Sequence, residues 1–246
     1  MIVIQPIPCL KDNYAYLVFV EGGTDAVVVD PSEAEPVTAA LRARQLTLRG
    51  ILATHHHQDH VGGIPALVAT SAGAVWVAAH ERDRGRIAGQ TVFVDAPEQR
   101  FVPTDLDIGG HALLAMHMPG HTRAAIAWGI PGAGGAPVDI FTGDTLFAAG
   151  CGRLFEGTPA EMLRSLRALT SGADDVRLWF GHEYTANNLR FAATAEPDNA
   201  AVVARSARLT DRTTPTTIQL ERETNPFVRA ASVDELGARR AAKDRF

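Results

Sequence analysis

Short apolar runs rich in β-branched and aromatic residues alternate with turn chemistry at the start of the chain. Ile2 to Ile7, Tyr14 to Val20 and Ala26 to Asp30 predict three strands, separated by Lys11-Asp12-Asn13 and Glu21-Gly22-Gly23-Thr24. The period then changes: Pro36 to Gln45 brings Val37, Ala40 and Leu41 to one face, which predicts a short helix, and Leu48 to Thr54 predicts the strand after it. A second round follows, with a helix near 64–72, a strand Ala74 to Ala79, a polar connection, and strands near Thr91 to Val94 and Ala112 to Met118. Strands Ala124 to Ile130 and Val138 to Thr142 are joined by the Gly/Pro-rich hairpin loop Pro131 to Pro137. Thr158 and Glu161 have capping-box spacing ahead of a helix Pro159 to Leu169, and Arg177 to Phe180 predicts a last strand. Mixed elements of this kind predict an α/β domain of layered sheet and helix. After His182 the texture becomes alanine-rich and helical over Thr185 to Ala195 and Asn199 to Leu209, with Glu196-Pro197-Asp198 as breaker. Thr213 to Phe227 reads as extended, and Ser232 with Glu235 marks the start of a closing helix that carries Arg239, Arg240, Lys243 and Arg245. The change of texture divides the chain into residues 1–182 and a helical unit, residues 183–246.

Chemistry concentrates where the fourth predicted strand ends. Thr54-His55-His56-His57-Gln58-Asp59-His60-Val61-Gly62-Gly63 holds four histidines and an aspartate within six positions. If the strand stays extended, His55 and His57 project together while His56 points away. Asp59 and His60 follow where Gly62-Gly63 allow a tight turn, so one segment can feed two adjacent metal ions. His121 in Met118-Pro119-Gly120-His121-Thr122, Asp144 in Gly143-Asp144-Thr145 and His182 in Gly181-His182-Glu183-Tyr184 stand at three further strand ends. His56 is read as supporting the motif, and His80, His111 and His117 as ordinary strand residues.

Composition narrows the partners. The net charge is −5 with histidines neutral, and Lys and Arg are not clustered along the body of the chain, so no nucleic-acid footprint is visible. No apolar run reaches membrane-spanning length, and the apolar N-terminus has no basic leader. The only cysteines, Cys9 and Cys151, form neither a disulfide framework nor a CxxC zinc site. A cytoplasmic monomer acting on a small molecule is expected, with no nucleic-acid or membrane partner.

The spacing His-x-His-x-Asp-His, followed by Pro-Gly-His-Thr, Thr-Gly-Asp-Thr-Leu and Gly-His-Glu-Tyr, resembles the metallo-β-lactamase superfamily. Lys11-Asp12-Asn13-Tyr14, Cys151 to Gly157, Asn225-Pro226-Phe227 and Lys243 to Phe246 extend the likeness to its hydroxyacylglutathione hydrolase (glyoxalase II) family. The resemblance implies a four-layer αββα sandwich followed by a small all-α C-terminal domain. It implies that His55, His57 and His121 hold one metal, Asp59, His60 and His182 a second, and that Asp144 bridges them. Two divalent ions are then expected, zinc first and iron or manganese acceptable. Asp59 and Asp144 would be catalytic by holding a metal-bridging hydroxide, which attacks the thioester of S-(2-hydroxyacyl)glutathione, such as S-lactoylglutathione, to release glutathione and a 2-hydroxy acid in methylglyoxal detoxification. Arg153, Tyr184, Arg240 and Lys243 would bind the glutathione, whose two carboxylates call for cations. Arg240 and Lys243 share a helix face. Relative to the common family pattern, Arg153 replaces a lysine and Phe155 a tyrosine. The alternatives on the same fold are a glutathione persulfide dioxygenase, which should need one metal, and a lactonase.

Overall fold

The computed structural model describes residues 1–246. Its first half contains β1 (Ile2–Cys9), β2 (Asn13–Val20), β3 (Asp25–Val29), α1 (Ala34–Ala43), β4 (Thr47–Leu52), α2 (Gln58–Val61), α3 (Ile64–Thr70), β5 (Trp76–His80) and β6 (Val92–Val94). These strands form one sheet in sequence order, antiparallel from β1 to β3 and parallel from β3 to β6. The second half adds β7 (Val102–Ile108), β8 (His111–His117), β9 (Ile126–Pro131), β10 (Pro137–Gly143), the small hairpin β11 (Leu146–Phe147) and β12 (Gly150–Cys151), α4 (Pro159–Leu169) and β13 (Arg177–Phe180). The remaining elements are α5 (Thr185–Ala195), α6 (Ala200–Ser206), β14 (Thr216–Thr217), α7 (Ile218–Thr224) and α8 (Val233–Asp244). The second sheet runs β14-β13-β10-β9-β8-β7, so a strand from the tail pairs onto its edge.

Strand alternation builds the layers. In β2, Ala15, Leu17 and Phe19 pack beneath Val37 and Leu41 of α1 and Ile64 and Leu67 of α3. The intervening Tyr14, Tyr16 and Val18 face the other sheet, against Leu113, Trp128 and Phe141. The far face of that sheet presents Met116, Ile140 and Leu178 to Met162, Leu166 and Leu169 of α4 and to Phe191, Ile218 and Leu236 of the tail. Strands apolar on both faces require cover on both faces, and the result is an αββα sandwich with helices outermost. Each fully buried Leu or Phe side chain contributes about 1.5–3 kcal/mol to this stacking. Glu221, fully buried, docks the tail: its carboxylate accepts from Ala149 N at 2.9 Å, Arg205 Nη1 at 2.9 Å and Asn225 Nδ2 at 2.8 Å.

Three expectations change. β7 is a strand in the stretch between Val94 and Ala112, to which the sequence reading assigned no element, because it is an edge strand with alternately exposed positions and a proline, which leaves no continuous apolar run. Thr213 to Phe227 is not extended: its β-branched residues supply only β14, and Thr217 Oγ1 then accepts from Leu220 N at 3.3 Å to cap α7. The strand leading to the histidine motif stops at Leu52, so Asp59 and His60 stand on the single turn of α2. No helix is long and apolar enough to cross a membrane.

Candidate metal centre

The loop after β4 and the turn of α2 are held by close packing. Gly63 N donates to Pro31 O at 2.8 Å, and a Cβ on Gly63 would lie 2.7 Å from that same oxygen. The Gly62-Gly63 pair therefore serves close approach to the 31–34 segment, while its backbone stays in the ordinary helical region. Gly143 does need its freedom: it sits at φ +48°, and a Cβ there would strike Thr54. That bend aims Asp144, the next residue, at the histidines. His121 follows β8 and His182 follows β13, so every one of these side chains leaves the same end of the two sheets.

Their donor atoms converge in two groups. His57 Nδ1 lies 3.1 Å from His55 Nε2 and 3.0 Å from His121 Nε2. His182 Nε2 lies 3.3 Å from Asp59 Oδ2, and His60 Nε2 lies 4.0 Å from the same oxygen. Asp144 stands between the groups, with Oδ1 3.2 Å from His60 Nε2 and Oδ2 3.4 Å from His182 Nε2 and 3.6 Å from His121 Nε2. Donors bound at about 2.0–2.2 Å around a tetrahedral ion are separated by about 3.3–3.6 Å; the 3.3, 3.4 and 3.6 Å spacings fall in that range and the 3.0–3.2 Å ones lie just below it. His60 Nε2 and Asp144 Oδ1 are buried and have no aligned hydrogen-bond partner. An orphaned buried polar atom costs about 1–3 kcal/mol, which an ion between the two would remove. These residues therefore fit divalent metal.

The outward nitrogens are fixed by partners. His60 Nδ1 lies 2.9 Å from Asp30 Oδ2, His182 Nδ1 2.9 Å from Asp12 Oδ1, His121 Nδ1 2.8 Å from Arg153 O, and His55 Nδ1 3.1 Å from Thr54 Oγ1. Each leaves Nε2 turned inward, the arrangement that orients a metal-binding imidazole. Asn13 Nδ2 donates to Asp59 O at 2.9 Å and Asp59 Oδ2 at 3.3 Å. Sequence reasoning assigned no role to Asp12, Asn13 or Asp30. The one signal for Asp30 was a carboxylate closing the otherwise apolar run Ala26 to Val29, and its φ of +48° shows the turn that aims it.

Charge divides the two groups. Burial, then the neighbouring imidazoles, pushes His55 well down and His57 to about 4, so the first group is neutral and ready to donate lone pairs. For His182 burial opposes the charge, but the Asp144 and Asp59 carboxylates outweigh it and hold the imidazolium up to about 10. Without metal, the second group is thus held together by protons that a cation displaces.

A cavity of about 750 Å³ opens over this centre, and Arg153, Tyr184, Arg240 and Lys243 all line it. Their states differ. Arg240 is buried, with Nη1 donating to Cys151 O at 2.6 Å and Nη2 paired to Asp244 at 3.1 Å. Arg153 is mostly exposed, and Lys243 Nζ donates to Asn187 O at 3.1 Å. Tyr184 stacks on His182 at 4.7 Å. Phe155 stands edge-on to His57 and His121, at 5.4 and 5.3 Å. Phe147, Asn187 and Phe246, given no site role by the sequence reading, complete much of the wall.

Comparison with known proteins agrees with this geometry. Residues 11–182 match the family model of the metallo-beta-lactamase superfamily, and residues 183–246 match that of the hydroxyacylglutathione hydrolase C-terminus. The chain is 48% identical over 236 residues to a hydroxyacylglutathione hydrolase from Synechococcus sp., covering 92% of this chain and 88% of the relative. Among solved structures, ETHE1 from Myxococcus xanthus shares the fold with a TM-score of 0.69 at 23% identity, covering 97% of this chain and 90% of that one. TTHA1623, solved in a di-iron-bound form, has a TM-score of 0.60 at 26% identity, covering 91% of this chain and 99% of that one. The chain belongs to the hydroxyacylglutathione hydrolase family of the metallo-β-lactamase superfamily.

Proposed function

We propose that the protein hydrolyses the thioester of S-(2-hydroxyacyl)glutathione, with S-lactoylglutathione as the representative substrate, at a two-metal centre. The observation that carries this is the single cavity that joins two converging donor groups to Arg153, Tyr184 and Lys243. His55, His57 and His121 would hold one ion and Asp59, His60 and His182 the other, with the Asp144 carboxylate available to both groups. Imidazole-rich, thiolate-free ligation favours zinc, with iron or manganese acceptable. When bound, the two cations supply an activated water at neutral pH and counter-charge for the oxyanion.

The chain's own groups do the rest. Asp12, Asp30 and the Arg153 carbonyl keep the inward nitrogens aimed. Phe155 and Phe147 wall the centre from bulk water, while Arg153 and Lys243 meet the substrate carboxylates and Arg240 holds the wall behind them. Burial, with the Asp12, Asp144 and Asp59 carboxylates, pushes the Tyr184 hydroxyl well up, so it stays protonated and donates a hydrogen bond to the peptide. A thiolate of pKa about 8.5 leaves without prior protonation, so no general acid is required. The acting form is a monomer in this reading, and two free buried thiols fit the reducing cytoplasm.

The direct test is loss of the thioester absorbance of S-lactoylglutathione on adding protein of measured metal content. No turnover with both positions filled would sink this reading, and oxygen uptake on glutathione persulfide by a one-iron form would replace it. Binding has its own test. Lys243→Ala should raise KM about tenfold with little change in kcat, the loss of roughly 1.5 kcal/mol from one charge-assisted hydrogen bond. Burial, then Arg240 and Arg190, pushes Lys243 down to about 8. The ammonium is charged below that pH and neutral above it, so KM should climb as pH rises through about 8. Lys243→Arg, which stays charged, should flatten the climb; an unchanged profile would remove Lys243 from the binding site.

A further inference from the structure

Outside the two donor groups lies a closed ring of contacts that the proposed chemistry does not use. It begins at His56, the one motif histidine that turns away from the centre. His56 Nε2 sits 2.6 Å from Arg86 Nη2, and His56 Nδ1 sits 3.1 Å from Asp83 Oδ1. A guanidinium only donates, so Nε2 accepts and the ring proton is on Nδ1, facing the Asp83 carboxylate. Arg86 Nη2 also donates to Glu156 Oε1 at 2.5 Å, and Glu156 Oε2 accepts from Arg123 N at 2.9 Å. Arg123 O then accepts from His117 Nε2 at 2.8 Å, and the His117 ring packs against His80 at 4.2 Å. His80 Nδ1 accepts from Arg82 N at 3.1 Å, capping the short 3-10 turn Glu81–Asp83 that carries Asp83. The ring is complete.

Asp83 is the unusual member. It is fully buried, and neither carboxylate oxygen has an aligned hydrogen bond; its polar neighbours are the His56 ring and, at 3.5 Å, the cationic Arg86 Nη1. A buried carboxylate costs several kcal/mol unless its surroundings compensate, so its place beside this particular histidine calls for a reason. The ring touches each ligand of the first group. His56 is bonded covalently to His55 and His57, and Phe155 N and Glu156 N donate to the His121 carbonyl at 3.2 and 3.3 Å. Second-group ligands are fastened by other residues: Asp30 to His60, Asp12 to His182 and Asn13 to Asp59.

We propose that Asp83 and His56 are positioning residues for the first metal position: they anchor the outward side of the motif and thereby fix the spacing of His55, His57 and His121. The inference rests on the two-metal reading but not on the thioester reading. Its test counts metal rather than turnover. The full-length wild type, Asp83→Ala, Asp83→Asn and His56→Ala are loaded with zinc and titrated with a competing chelator, with melting temperature followed on the same samples. Cobalt substitution reports the first position by its absorption band. In Asp83→Ala and His56→Ala the first ion should bind about 10–100-fold more weakly, the usual cost of losing a residue that orients a ligand. The second ion should stay within about threefold of wild type, because its fastenings are separate. Asp83→Asn keeps an acceptor oxygen for His56 Nδ1–H and should recover most of the affinity. Should Asp83→Ala fail to fold, Asp83→Asn and His56→Ala carry the test. First-ion affinity unchanged in His56→Ala, or both ions weakened equally, would overturn the proposal. A wild type that takes up no zinc would overturn the two-metal reading with it.

Discussion

Asp144→Ala is expected to empty both metal positions and to lower thioester hydrolysis by on the order of 10²–10³-fold or more, the scale seen when a group central to charge stabilisation is removed. Its carboxylate alone reaches both donor groups, with Oδ1 3.2 Å from His60 Nε2 and Oδ2 3.4 and 3.6 Å from His182 Nε2 and His121 Nε2. Removing any single histidine leaves the other position with its ligands. Removing Asp144 takes one anion from each side. It also takes away the largest of the charges that oppose burial at His60 and His182, so their imidazolium forms fall in pKa. Easier deprotonation helps a cation bind, whereas loss of a ligand hinders it, and the ligand term should win because a neutral imidazole is the bound form in either case. Asp144→Asn separates the two effects by keeping the shape and losing the charge. The measurement is metal per chain after exhaustive dialysis, alongside hydrolysis of S-lactoylglutathione. Two ions per chain in Asp144→Ala, with activity within about tenfold of wild type, would show that the carboxylate is peripheral to charge stabilisation.

The sequence made the donor residues visible and hid what supports them, for a physical reason. His55 and His57 alternate on a local extended segment, and His121, Asp144 and His182 each follow an apolar run that ends in glycine-containing turn chemistry; both signals act over a few residues. Asp12, Asp30 and Asp83 gain their roles only when residues 24 to 170 positions away come to the same sheet end, as in the pairing of Asp12 with His182. No local pattern encodes such a pairing. The same limit explains the fold-level differences. β7 carries a polar face because it lies at an edge, and the β-branched stretch before Phe227 is a helix because Glu221 is buried in contacts with distant Ala149 and Arg205. Arg240 and Lys243, equivalent by spacing, both line the cavity but differ in three dimensions: Arg240 is buried against Cys151 O, while Lys243 Nζ donates to Asn187 O and has a lowered pKa. Their different burial becomes visible only once the tail is docked.

Asp30→Ala should be the most destabilising single change at this centre. The carboxylate is buried and makes three contacts: Oδ1 accepts from Thr54 N at 2.7 Å, and Oδ2 accepts from Thr54 Oγ1 at 2.6 Å and faces His60 Nδ1 at 2.9 Å. Alanine leaves a buried amide and a buried imidazole without their partner. Breaking a buried charged pair by deleting one member costs about 3–5 kcal/mol. For a chain of this length each kcal/mol lowers the melting temperature by about 2–4 °C, so a fall of about 10–15 °C is expected. Asp30→Asn discriminates fold from site. Its oxygen can still accept from Thr54 N, so the fold should lose far less, but its amide NH₂ then faces His60 Nδ1–H, donor against donor. His60 must shed or move that proton, and the tautomer that moves it to Nε2 covers the lone pair meant for the metal. Asp30→Asn should therefore keep most of the melting temperature and lose second-position affinity by about 10–100-fold, with first-position affinity retained. If Asp30→Asn bound two ions as tightly as wild type, Asp30 would be a fold residue that happens to lie beside the centre, and the orientation of His60 would have to come from Asp144 alone.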